Sequence, residues 1–161
     1  MWTQIIEADL GHPEHADAIV MLLDVYARDP AGGGQALNDR VRERLVPELR
    51  KRTGVHVALA FEGDEAVGMA ICMEGFSTFV CEPLLNVHDL VVHPSRRGQG
   101  LAGQLLAEVE RIARQRGCCK VTLEVLEGNT SAQAAYRRAG FEGYQLDPVM
   151  GRAMFWQKWL S

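Results

Sequence analysis

Between Arg52 and Arg96 the chain has no lysine or arginine, and elsewhere adjacent basic residues form only short groups such as Arg50-Lys51-Arg52 and Arg96-Arg97. With a formal net charge of −4, nothing forms the basic stripe that nucleic acid requires. Long apolar runs are also missing. No stretch approaches the roughly 18 residues of a membrane-crossing helix. The opening segment Met1-Trp2-Thr3-Gln4-Ile5-Ile6-Glu7 lacks the basic start, apolar centre and cleavage site of a secretion signal. A cytoplasmic protein that engages neither membrane nor nucleic acid is the expectation. Cysteine is sparse, at Cys72, Cys81, Cys118 and Cys119. None is in C-x-x-C spacing and no histidine is placed to complete a zinc site, so reduced thiols and no metal are expected. A cysteine nucleophile that carries an acyl group is the lesser alternative.

No linker and no repeat divides the 161 residues, which suit a single domain, 1–161. The pattern is that of an α/β chain of the α+β type. Thr3 to Ala8 reads as a strand and His15 to Arg28 as a helix, with Ala16, Ile19, Val20, Leu22, Leu23 and Tyr26 on one broad face. Asp29-Pro30-Ala31-Gly32-Gly33-Gly34 reads as a flexible break. A second helix over Asp39 to Lys51 is expected to break or restart at Pro47. Val55 to Phe61 and Ala66 to Met73 follow as strands around a Glu62-Gly63-Asp64 turn, then Asn86 to Val92. A helix from Leu101, a strand at Val121 to Leu126, a short helix through Ala132 and Ala139, and a final strand at Ala153 to Trp159 complete the pattern.

The chemistry concentrates in Arg97-Gly98-Gln99-Gly100-Leu101-Ala102, which joins a strand to a helix whose apolar face is Leu101, Leu105, Leu106, Val109 and Ile112. Glycine at 98 and 100 removes the side chains that would hold a ligand off the backbone. Successive N–H groups at the helix start can then point at phosphate oxygens, and the helix dipole adds to the attraction. No Gly-Lys-Ser/Thr marks a P-loop. The stretch reads as a pyrophosphate cradle.

These six residues resemble the Arg/Gln-x-x-Gly-x-Gly/Ala signature of the GNAT superfamily of acyl-CoA-dependent N-acyltransferases, with Arg97, Gly100 and Ala102 at its defining positions. Downstream, Asn129, Ala132, Tyr136, Gly140 and Phe141 are similar to the superfamily's Asn-x-x-Ala-x-x-x-Tyr-x-x-x-Gly-Phe segment, although Ala135 stands where other members often carry a larger apolar residue. The resemblance implies the GNAT fold: a mixed, mostly antiparallel central sheet flanked by helices, in which the motif strand and Val121 to Leu126 run parallel and splay apart to admit the pantetheine of acetyl-CoA. It implies that the backbone of Leu90, Val91 and Val92 binds that pantetheine. Arg97, Gly98, Gln99, Gly100, Leu101 and Ala102 would hold the pyrophosphate, and Tyr136 would protonate the leaving thiolate. Asn129 either binds the pantetheine arm or simply starts the next helix.

Asp89 and Glu124 are the candidate bases. His88 must point away from Asp89 on a regular strand unless a bulge intervenes. The segment Glu74 to Leu85, with Phe76, Phe79 and Glu82, is the candidate acceptor-binding loop, similar in layout to that of spermidine/spermine and thialysine acetyltransferases. Glu74, Glu82, Asp89 and Glu124, with no lysine or arginine between Arg52 and Arg96, point to a cationic acceptor. The expected activity is acetyl transfer from acetyl-CoA to a primary amine of a small molecule, by direct attack in a ternary complex. Acetylation of a protein N-terminus or lysine, or a non-catalytic acyl-CoA-binding module, are the alternatives. Phe155, Trp156, Trp159 and Leu160 place heavy apolar surface near the C-terminus, where relatives pair, so a homodimer is expected.

Overall fold

A computed structural model describes residues 2–160; Met1 of the opening segment and Ser161 lie outside the described residues. The elements follow in the order β1 (Thr3–Glu7), α1 (Pro13–Arg28), α2 (Asp39–Arg50), β2 (Val55–Glu62), β3 (Glu65–Ser77), β4 (Glu82–Val92), α3 (Leu101–Gln115), β5 (Val121–Leu123) and α4 (Thr130–Arg138). They build one five-stranded sheet in the spatial order β1-β2-β3-β4-β5. All neighbours are antiparallel except β4 and β5, which run parallel across the α3 connection.

Alternate residues of the central strands serve opposite faces. Ala58, Ala60, Ala70, Cys72, Leu85 and Val87 meet Leu101, Leu105, Val109 and Ile112 of α3. Val57, Leu59, Met69, Ile71 and Val91 meet Ile19 and Leu22 of α1 and Val46 of α2. Helix α1 begins at Pro13, ahead of the expected His15, because a proline in the first turn lacks only an N–H that has no helical partner anyway. Helix α2 continues through Pro47 instead of breaking there. Val46 and Leu49 on either side of it are buried, and this packing outweighs the lost hydrogen bond.

Three strand expectations need correction, each for want or gain of a distant partner. Glu74 to Leu85 is not a loop. Strands β3 and β4 extend through it as one long hairpin, closed by the pair Ser77 and Glu82 around Thr78 to Cys81. Strand β5 stops at Leu123 and does not reach Leu126, since its pairing with β4 covers only Leu85–Val87 against Val121–Leu123. Ala153 to Trp159 forms no strand. No ladder partner reaches it, and beyond α4 the described residues make only the isolated bridge between Gln145 and Arg152.

Candidate active site

Strand β4 leads through a 3-10 turn, Pro94–Arg96, into the cradle. Gly98 and Gly100 both sit in the left-handed region, at φ 76° and 80°, which side chains resist, and open space lies where their Cβ atoms would be. Gly100 is the N-cap of α3 and offers no capping side chain, so the first helical N–H groups are left for another acceptor. Leu101 is buried beneath the turn and anchors it. The charges around the cradle are already matched. Arg96 Nε donates to Glu62 at 2.6 Å, and Arg97 donates through Nη2 to Asp29 at 2.9 Å and through Nε to the Val92 carbonyl at 3.4 Å. Gln99 turns back, its amide donating to the Ser95 carbonyl at 3.4 Å. An anion here would be met chiefly by backbone N–H groups and the helix dipole.

The pairing of β4 with β5 ends at Val87, one residue before a bulge. Cys72 faces Val87 and Ile71 faces Asp89, which leaves His88 as the extra, exposed residue. Beyond that point one edge of β4 is open. His93 donates its N–H to Val67 of β3, so by antiparallel alternation Val91 also turns its backbone to β3, while Leu90 and Val92 turn theirs to the open side. Of the three backbone groups expected to hold pantetheine, Leu90 and Val92 therefore line the gap and Val91 packs its side chain into the core.

The bulge lets Asp89 lie on the α1 side of the sheet, opposite Ile71. Burial raises its carboxyl pKa, opposed only by His88. Tyr26 of α1 is raised by burial and then by the charges of Asp89 and Asp29, and Tyr136 of α4 is raised by burial and then by Tyr26. These three side chains thus gather from three elements at the end of β4 nearest the cradle. Tyr136 also packs against Phe141 with the rings tilted by 58° and their centroids 6.1 Å apart. At the base of the gap, Asn86 Nδ2 donates to Thr122 at 2.9 Å and reaches Glu124 at 3.5 Å, whereas its buried Oδ1 has no partner. Asn129 caps α4 by accepting from the Ala132 N–H at 3.2 Å.

A family model described as the acetyltransferase (GNAT) family matches residues 19–141, which include the cradle, Asp89 and Tyr136. The chain belongs to this family. Among curated proteins, this acetyltransferase is 29% identical to thialysine N-epsilon-acetyltransferase of Caenorhabditis elegans over 77% of its own length and 75% of that protein's. It is 33% identical to streptothricin acetyltransferase of Streptomyces lavendulae over 58% of its length, covering 47% of that longer enzyme. In fold it matches an aminoglycoside acetyltransferase from an uncultured soil metagenome, solved with sisomicin, with a TM-score of 0.80 at 14% identity over 99% and 97% of the two chains.

The acetyltransferase site does not gather every residue expected of it. Phe76, Phe79 and Glu82 sit at the far tip of the β3–β4 hairpin, and Glu82 precedes Asp89 by seven strand residues, at most about 23 Å at ~3.3 Å each. Phe76 is exposed and Phe79 fully so. Glu74 belongs to the opposite face, where it pairs with Arg116 at 2.7 Å and His56 at 3.1 Å. Tyr26, Asp29 and Asn86 were not singled out as candidates in the sequence. The capping dipeptide Asp29-Pro30 was the one local signal among them. Burial pushes the Cys72 thiol up to about 12, which keeps it protonated and unsuited to nucleophilic attack. Among the described residues no cluster of His, Cys, Asp and Glu could hold a metal, and no helix is long and apolar enough to cross a membrane.

Proposed function

We propose that this acetyltransferase moves the acetyl group of acetyl-CoA to a primary amine of a small cationic molecule by direct attack. The observation that carries the reading is the open edge of β4 at Leu90 and Val92 running straight into the glycine turn, with Asp89 on the same stretch. In this reading Leu90 and Val92 bind the pantetheine as an added strand would, and the turn from Arg97 to Ala102 receives the pyrophosphate. Asp89 draws in the ammonium and takes its proton, because a carboxylate of raised pKa is a better base than an ordinary one. Glu124, exposed and within 3.5 Å of Asn86, adds negative charge for the same cation. Tyr136 gives its proton to the departing thiolate, and Asn129 turns its free amide N–H toward the pantetheine. The names of the relatives, thialysine, streptothricin and aminoglycoside acetyltransferases, support an amine acceptor. A cytoplasmic setting, supported by four free cysteines, and a homodimer complete the proposal.

Acetyl-CoA at about 100 times its dissociation constant is expected to stabilise the fold by ~2.7 kcal/mol, on the order of 5 to 10 °C in melting temperature. Gly100→Glu is expected to abolish the shift, through a side chain in a left-handed position and like charge against the pyrophosphate. A wild-type melting curve that ignores acetyl-CoA overturns the reading. A panel of amines, followed by CoA release, then identifies the acceptor; preference for anionic amines overturns its cationic part.

A further inference from the structure

An acidic side chain stands beside the cradle, where a carboxylate repels the anion the cradle is proposed to receive. Asp29 holds two things at once. Its Oδ2 accepts from Arg97 Nη2 at 2.9 Å, and its Oδ1 accepts from the Ala31 N–H at 2.9 Å, capping the 3-10 turn Pro30–Gly32. Its carbonyl also accepts from the N–H groups of Gly32 and Gly34, at 2.9 and 3.0 Å. Capping alone does not explain the acid, since asparagine or serine caps as well. The partner across the fold does.

Arg97 has five N–H donors and uses two of them here, on Val92 and Asp29, with half of its side chain exposed. The remaining donors are free for a phosphate oxygen, and Asp29 sets the plane in which they lie. On the other side, the turn that Asp29 caps is fastened to the acceptor end. The Tyr26 hydroxyl donates to the Ala31 carbonyl at 3.4 Å, and Gly32 lies so close to the Tyr26 carbonyl that a Cβ would stand 2.0 Å from it. Tyr26 in turn lies on α1, which packs on β4, near enough to Asp89 for its charge to raise the phenol. The far end of the loop is fixed independently, by Asp24 accepting from the Leu37 N–H at 2.9 Å and pairing with Arg42 at 2.6 Å.

We propose that Asp29 is a positioning residue, which aims the Arg97 guanidinium at the cradle and by the same bond ties the loop of residues 29–38 to it, so that donor binding orders the acceptor side. The proposal rests on the cradle being the acyl-CoA site. A phosphate oxygen held on the free edge of Arg97 immobilises Asp29, and with it the turn, Ala31 and Tyr26.

Hydrogen exchange of the full chain, with and without CoA, tests it. The Ala31, Gly32 and Gly34 amides, all bonded to Asp29, report on the loop, and amides 98–104 report on the cradle. In the wild type CoA is expected to slow exchange in both segments, the loop by roughly tenfold. In Asp29→Asn, which keeps the cap on Ala31 but loses the ion pair, CoA is expected to protect the cradle and leave the loop unchanged. Arg97→Gln breaks the bond from its other end and is expected to lose loop protection likewise, so the test survives poor folding of either variant. Loop protection that persists in both variants, or is absent from the wild type while the cradle is protected, overturns the positioning role. Failure of CoA to protect amides 98–104 in the wild type overturns the cradle reading itself, and the coupling with it.

Discussion

Burial of Asp89 raises its pKa, so the folded chain favours the protonated acid more than the unfolded chain does. The carboxylate is therefore a burden on stability above its folded pKa, and that burden vanishes below the unfolded value, near ~3.9. Asp89→Asn, which carries no charge to desolvate, is expected to raise the melting temperature at neutral pH. The same change is expected to lower kcat/KM roughly 10²-fold and to remove the acid limb of its pH profile, which in the wild type lies above the ordinary carboxylate range. Calorimetry and a pH–rate profile check the two halves; a variant that is less stable or fully active overturns them. Tyr136 responds to the opposite need. Its phenol is pushed up, which keeps it protonated at neutral pH and available as a donor. Tyr136→Phe is expected to reduce kcat by roughly 10²-fold while acetyl-CoA binding, read as the thermal shift, is retained.

At the scale of elements, one inserted residue separates the paired half of β4 from the open half. Deleting His88 leaves Val87 opposite Cys72 and Asp89 opposite Ile71, now in regular succession, so the register survives while the bend is lost. The variant is expected to fold, to extend β5 pairing toward Leu126, and to bind acetyl-CoA at least about tenfold more weakly by calorimetric titration. Unchanged affinity would separate the bulge from the opening of the gap. The bulge also shows where sequence reading stops. The glycine turn, α3 and the start of α4 were legible because their signals are local: glycines beside an apolar face of period 3.6, and Asn129 ahead of Ala132. The hairpin through Glu74 and Leu85, the early end of β5 and the absence of a strand at Ala153 each depend on which distant backbone is at hand, and no window of sequence carries that. Site residues divide the same way. Tyr136 stands at a motif position and Asp89 was one of two candidate bases, whereas Asp29 meets Arg97 across 68 residues, and Asn86 is distinguished only by an amide oxygen left without a partner.

For the molecule as a whole, the most conspicuous surface lies beyond α4. Phe155, Trp156 and Trp159 are 75%, 82% and 86% exposed, and Leu146, Met150 and Met154 lie bare nearby, more apolar area than an isolated chain usually leaves in water. Light scattering at micromolar concentration is expected to give the mass of two chains, and Trp156→Ser with Trp159→Ser that of one; a monomeric wild type overturns the dimer. The paired arginines have a broader consequence. Arg96 is matched by Glu62 and Arg97 by Asp29, so the cradle presents oriented dipoles with little net charge, on a protein that is itself negative. Dipoles act within a few ångströms, well inside the ~8 Å over which physiological salt screens charges. Donor capture by this chain would then gain little from long-range attraction, and its hold would weaken only modestly as ionic strength rises.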